Sequence, residues 1–139
     1  MAKLDIALEL TLKNEGFYGN DPDDAGGETL WGIARKPNPK WEGWSIVDSL
    51  KGEPDFPRCM KDNTELLEAM HDFYRESFWN TIKGDEIINQ DVANDLFDKA
   101  VNMGTHQAML LCQASLDLPS NGKMDSTTLN ILNQNNPYV

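Results

Sequence analysis

A chain of 139 residues, 40% hydrophobic and 25% charged, has room for one compact domain, or for a domain with a short helical appendage, and is too apolar to stay disordered. Its formal net charge of -11 repels phosphate backbones and anionic headgroups, which argues against nucleic acid as a partner and against membrane insertion. Cys59 and Cys112 make neither a disulfide framework nor a CxxC pair and read as free thiols. His71 and His106 are too far apart in sequence to suggest zinc, so the residues imply no metal and no cofactor. Asp5 and Glu9 interrupt the apolar core that a signal peptide needs, and no later run is long and apolar enough for a membrane span. The expectation is cytoplasmic synthesis without a signal peptide, so that any substrate outside is reached with the help of another protein.

Leu4, Leu8 and Leu12, with Ala7 and Thr11 beside them, predict an amphipathic helix over residues 3–14, with Gly16 as its stop. Residues 18–29, YGNDPDDAGGET, replace that periodicity with turn formers and acids, and LWGIA at 30–34 reads as a short strand or buried connector. Four of the seven prolines fall in residues 35–61, which predicts an ordered loop with one helical turn around residues 45–50. Asp62 and Glu65 resemble a capping box, and Leu66, Met70, Phe73, Tyr74 and Phe78 then predict a helix over 63–80. Helices over 90–103, 105–117 and 126–134 follow. Strand signals are confined to about residues 17–34, so the fold class is mainly α: a helical core with a small irregular or β-hairpin element carrying the acidic loop.

Glu15 is the first candidate for chemistry. The end of a helix dipole and partial burial both disfavour a carboxylate, which is what a proton donor to a leaving oxygen requires. Asp21, Asp23, Asp24, Glu28 and Thr29 follow within a loop short enough to return toward that helix end. Two carboxyl groups across a cleft are the apparatus of glycoside hydrolysis: one protonates the bridging oxygen, the other stabilises the cationic sugar centre or activates water. A calcium loop fails on count, because from Asp21 the fifth and twelfth positions are Ala25 and Gly32. No nucleophile elbow or Ser/His/Asp order suggests peptidase or esterase chemistry. The four tryptophans read separately as core residues, and Asn102 and Gln113 as structural hydrogen-bonding groups on apolar-faced helices.

The run Glu15-Gly16-Phe17-Tyr18, then Asp21-Pro22, Asp24, Gly26-Gly27, Thr29 and Gly32-Ile33, resembles the signature of glycoside hydrolase family 108. So does Leu96-Phe97-Asp98, Ala100-Val101-Asn102, Gly104, and the resemblance covers nearly the whole chain. Members are N-acetylmuramidases found as phage endolysins and in related bacterial release systems, which implies an α+β lysozyme-like fold and cleavage of the β-1,4 bond between N-acetylmuramic acid and N-acetylglucosamine. The resemblance puts the catalytic general acid on Glu15. Asp24 then stabilises the transition state or, with Thr29, holds a water, with Asp21 as the alternative second acid. It implies substrate-binding roles for Phe17, Tyr18, Asp21, Tyr74, Trp79 and Asn102. Phe17 stands where the family has a second glycine and is expected to line the cleft.

The resemblance also implies a catalytic region over residues 1–90 and a helical peptidoglycan-binding-like segment over 91–139, packed as one globule. The family continues beyond the position of Val139, which implies a shortened member or a truncated piece. The expected partners are peptidoglycan glycan strands, the expected state a monomer. The site of action is the cell wall, in the periplasm, after release by a protein such as a holin. The alternatives are a lytic transglycosylase and a non-catalytic peptidoglycan-binding module. A charge of -11 favours a thin Gram-negative wall over one rich in anionic polymers.

Overall fold

The computed structural model describes residues 1–23 and 25–134, and the chain forms two compact units: Leu12–Phe73, and Met1–Thr11 together with the chain from Tyr74 onward. Residues 74–90 cluster with the helices that follow them.

The first unit holds the sheet. Strands β1 (Tyr18–Asn20), β2 (Glu28–Leu30) and β3 (Ile33–Ala34) are antiparallel in that order. Tyr18 pairs with Leu30, Gly19 with Thr29 and Asn20 with Glu28, while Thr29 and Leu30 pair onward with Ala34 and Ile33. Directly paired residues share a face. Thr29 therefore stands with Gly19 and Ala34 on one face, and Glu28, Leu30 and Ile33, all buried, stand with Tyr18 on the other. The run at 30–34 is not a continuous strand. Trp31 and Gly32 adopt φ of 48° and 82° and turn the chain in a two-residue hairpin that needs positive φ at both positions. Gly32 does this freely. Trp31 pays about 1–2 kcal/mol, against which its N–H donates to the Phe17 carbonyl at 2.6 Å and its ring packs on Phe17 at 5.5 Å.

Within residues 35–61 the helix α2 (Gly43–Leu50) is longer than the single turn that the proline density predicts, and a 3₁₀ turn, Arg58–Asp62, follows. The Trp44 indole donates to the Asn38 carbonyl and the Trp41 indole to the Ala69 carbonyl, so both aromatic residues close this proline-rich stretch. Helix α3 (Thr64–Tyr74) is capped by Asn63, whose side chain accepts from the Leu66 N–H at 2.9 Å. Asp62 ends the preceding 3₁₀ turn instead, so the predicted capping box does not form.

Helix α1 (Leu4–Leu12), which lies in the second unit up to Thr11, buries Leu4, Ala7, Leu8 and Thr11, the face that the sequence spacing picks out. The helix predicted to reach residue 80 leaves regular α geometry after Tyr74. It passes through a π turn, Arg75–Trp79, and a 3₁₀ turn, Asn80–Ile82, before Lys83 adopts a left-handed φ of 52°. The Trp79 ring explains the reversal: it is fully buried, its indole donates to Asp85, and Gly84 closes so tightly on it that a Cβ there would clash with the ring. Helix α4 (Gln90–Met103) is capped by Asn89, α5 (Thr105–Ser115) ends two residues short of the predicted 117, and α6 (Ser126–Gln134) is capped by Asp125.

Gln113 of α5 is wholly buried and structural. Its amide nitrogen lies within 3.0 Å of Asn121, the Lys123 carbonyl and Thr128, and its oxygen accepts from the Gly122 N–H. Gln113→Leu strands these groups in an apolar setting, and urea denaturation should show a loss of roughly 2–3 kcal/mol; a loss within measurement error would contradict the role given to this amide.

Candidate active site

Residues 12–73 contain one buried described acid, Glu28, and one part-buried, Glu15; every other described carboxylate there is exposed. The two are treated differently. Glu28 shares the inner face with Leu30, so its side chain, 6% exposed, is driven inward by register. It meets Arg35 at 2.8 Å, Lys51 at 3.0 Å and the Tyr18 phenol at 2.6 Å. Arg35 also grips Asp48 through both of its terminal nitrogens, and Lys51 bridges to the same carboxylate at 3.0 Å. Burial alone would raise the Glu28 carboxyl, but the hydrogen bonds from Tyr18, Arg35 and Lys51 outweigh it and hold it below its ordinary value. Asp48 is held low chiefly by the Arg35 hydrogen bonds. Burial and the Glu28 carboxylate together push the Tyr18 hydroxyl up to about 12.

Glu15 lies beyond the end of α1 rather than in its last turn. Its N–H donates to the Leu12 carbonyl at 3.2 Å, and it precedes β1 by three residues. Its side chain is half-buried, and among the described residues no hydrogen bond or ion pair commits its carboxylate. Thr29 sits in the middle of β2 between Gly19 and Ala34, neither of which has a side chain long enough to cover it. Thr29 is part-exposed, and a Cβ built on Gly19 would stand 3.4 Å from its hydroxyl, so glycine there leaves that side of the hydroxyl uncovered by a side chain. Asp21 is exposed and uses one carboxylate oxygen to accept from the Asp23 N–H, closing the start of the loop. Asp24 lies outside the described residues.

Phe17 is half-buried and lines a groove of about 380 Å³ with residues 54–58 and Lys61. Tyr18 turns its hydroxyl to Glu28 and so braces the sheet rather than offering that group to a ligand. Tyr74 and Trp79 belong to the other unit. At 1% and 0% exposed they pack against Phe97, so burial removes the ring faces that sugar stacking would use. Asn102, also in that unit, is exposed and donates to Asp98, which accepts as well from the buried Thr11 hydroxyl.

Sequence reasoning placed Glu28 among the loop acids and missed the cluster it anchors. The signal was present in the alternation Glu28-Thr29-Leu30, which turns Glu28 to the side of Leu30, and in the i,i+3 spacing of Asp48 and Lys51. Arg58 and Lys61 of the groove were missed as well, being single cations in a segment read only for its prolines.

The chain is a glycoside hydrolase. It belongs to the glycosyl hydrolase 108 family, whose model matches residues 8–104, a span that begins inside α1 and stops before α5. No curated protein matches the sequence. Among solved structures, the structure of Brucella abortus SagA is similar over 94% of this chain and 68% of the other, with a TM-score of 0.62 and 24% identity, a likeness of fold. No helix among the described residues is long and apolar enough to cross a membrane.

Because Glu28 and Asp48 are held below their ordinary values of 4.5 and 3.8, the folded state binds fewer protons than the unfolded chain in acid. Their stabilisation is complete above those values and drains away as the pH falls through the lower, folded-state ones. Glu28→Gln should cost roughly 1–3 kcal/mol at neutral pH. It should also flatten the acid limb of a stability-against-pH curve measured by denaturation. An acid limb unchanged in the variant would contradict the clamp.

Proposed function

We propose that the chain hydrolyses the β-1,4 bond between N-acetylmuramic acid and N-acetylglucosamine in peptidoglycan, with Glu15 as general acid. The observation that carries this reading is the contrast between the two acids of residues 12–73 that are not exposed: Glu28 is held by three partners, and the Glu15 side chain by none among the described residues. Family membership supports glycosidic chemistry, and the resemblance of the run from Glu15 to Ile33 implies an acid at Glu15.

Glu15 delivers its proton to the bridging oxygen as the bond from that oxygen to the anomeric carbon breaks, and a carboxylate opposite stabilises the developing positive charge. Asp24 takes that second role; the commitment of one Asp21 oxygen to the loop turn argues for Asp24 over Asp21. Thr29 holds the attacking water from the open face of the sheet, the water adds to the anomeric carbon, and its proton returns to the carboxylate system. Phe17 lines the approach to Glu15.

Glu15→Gln should keep its melting temperature and lose about a hundred- to ten-thousand-fold in the release of reducing ends from purified peptidoglycan. Mass spectrometry of wild-type products should find one water added for each bond cut. Near-wild-type turnover by the variant would overturn the assignment of Glu15. Anhydro-sugar ends would make the enzyme a lytic transglycosylase, and wall binding without any release would make it a binding module.

A further inference from the structure

The groove lined by Phe17 has no part in the bond-breaking steps above, yet its composition is unlike the rest of the chain. Its walls are the rings of Phe17 and Phe56 and the prolines of residues 54–57, and its charged groups are Arg58, Lys61 and Asp55. The Lys61 ammonium stands 4.8 Å from the centre of the Phe17 ring. In the same unit Arg35 and Lys51 are consumed by Glu28 and Asp48, whereas among the described residues neither Arg58 nor Lys61 makes an ion pair. A chain of net charge -11 thus keeps two unpaired cations against one carboxylate around a single groove. The groove wall is braced from behind, because the Phe56 ring meets Tyr18 edge-on at 5.2 Å and Tyr18 is fastened to Glu28.

Resting on the muramidase reading, we propose that this groove binds the carboxylates of the short acidic peptide carried by the muramic acid residue, beside the bond to be cut. Phe17, two residues after Glu15, would connect peptide groove and scissile sugar. Two cations three positions apart on a 3₁₀ turn, facing aromatic and proline walls, fit an extended peptide bearing several carboxylates and small apolar side chains better than a single carboxylate. Where the peptide is present, the lactyl carboxyl of the sugar is tied up as an amide, so the negative charge that reaches the groove belongs to the peptide. The groove supplies local attraction where the net charge of the protein opposes an anionic polymer.

The test uses the full chain and the double variant Arg58→Gln, Lys61→Gln, checked for unchanged folding by its amide NMR spectrum. Kinetics are measured on soluble glycan strands with peptides and on strands stripped of them by an amidase, which exposes the lactyl carboxylate. The kcat/KM preference for peptide-bearing strands should fall about three- to tenfold in the variant, through KM. An equal fall on both strands, pointing to the lactyl group or to general attraction, overturns the proposal, as does an unchanged preference. Independently of cleavage, titration with the isolated stem tetrapeptide should shift the amide signals of Phe17 and residues 56–61 in the wild type and not in the variant. Absence of those shifts overturns the groove even if the enzyme is active. A wild type that cuts neither strand but shows the shifts overturns the muramidase reading while leaving peptide capture by the groove supported.

Discussion

The unit that holds the sheet depends on a carboxylate placed where an apolar residue would ordinarily go. A sheet of three strands, none longer than three residues, is too short to be stable by its own ladder. Glu28 occupies the inward register beside Leu30 and is satisfied on all sides by Arg35, Lys51 and Tyr18, so the cost of burying its charge is offset by charge-assisted hydrogen bonds. Because Arg35 follows β3 while Asp48 and Lys51 lie in and just after α2, one cluster fastens β1, β2, β3 and α2 together. The inner face is thereby closed, and the face carrying Thr29 between Gly19 and Ala34 is left open.

The same clamp separates the roles of the acids. A carboxylate that is shielded and fully paired is fixed as an anion, with no proton to give near neutral pH. Glu28 is such a carboxylate, whereas Glu15, part-buried, has no side-chain partner among the described residues, in a chain whose 23 acids are mostly in water. The loop acids need no such environment, and Asp21 serves its own turn. Cations are divided in a similar way: Arg35 and Lys51 are internal to the clamp, while Arg58 and Lys61 face a groove.

The helices were legible because their apolar spacing is a property of the helix itself. Leu4, Leu8 and Thr11 are buried as the spacing predicts, and α4 and α6 occupy the predicted ranges. What the sequence left obscure was decided by single side chains acting at a distance. Asn63 outcompetes Asp62 for the cap of α3 because the preceding 3₁₀ turn absorbs Asp62. Trp79 ends the long helix by needing a burial site under Gly84, a demand no periodicity records. Trp31 takes a left-handed backbone that propensity disfavours, because Phe17 and Gly32 hold the turn around it. The strand region could be read directly. Tyr74 and Trp79, which a family likeness suggested for sugar contact, turned out to be core, since an aromatic in a motif serves packing as readily as binding.

The central claim is that Glu15, and no other acid, meets the bridging oxygen of the substrate. The most direct measurement is a crystal structure of the Glu15→Gln protein soaked with a peptidoglycan fragment long enough to span the cut. The residue 15 side chain should lie within about 2.6–3.2 Å of the glycosidic oxygen, with Glu28 still clasped by Arg35 and Lys51. A fragment bound with its glycosidic oxygen against a different carboxylate, or with residue 15 turned away from it, would contradict the account.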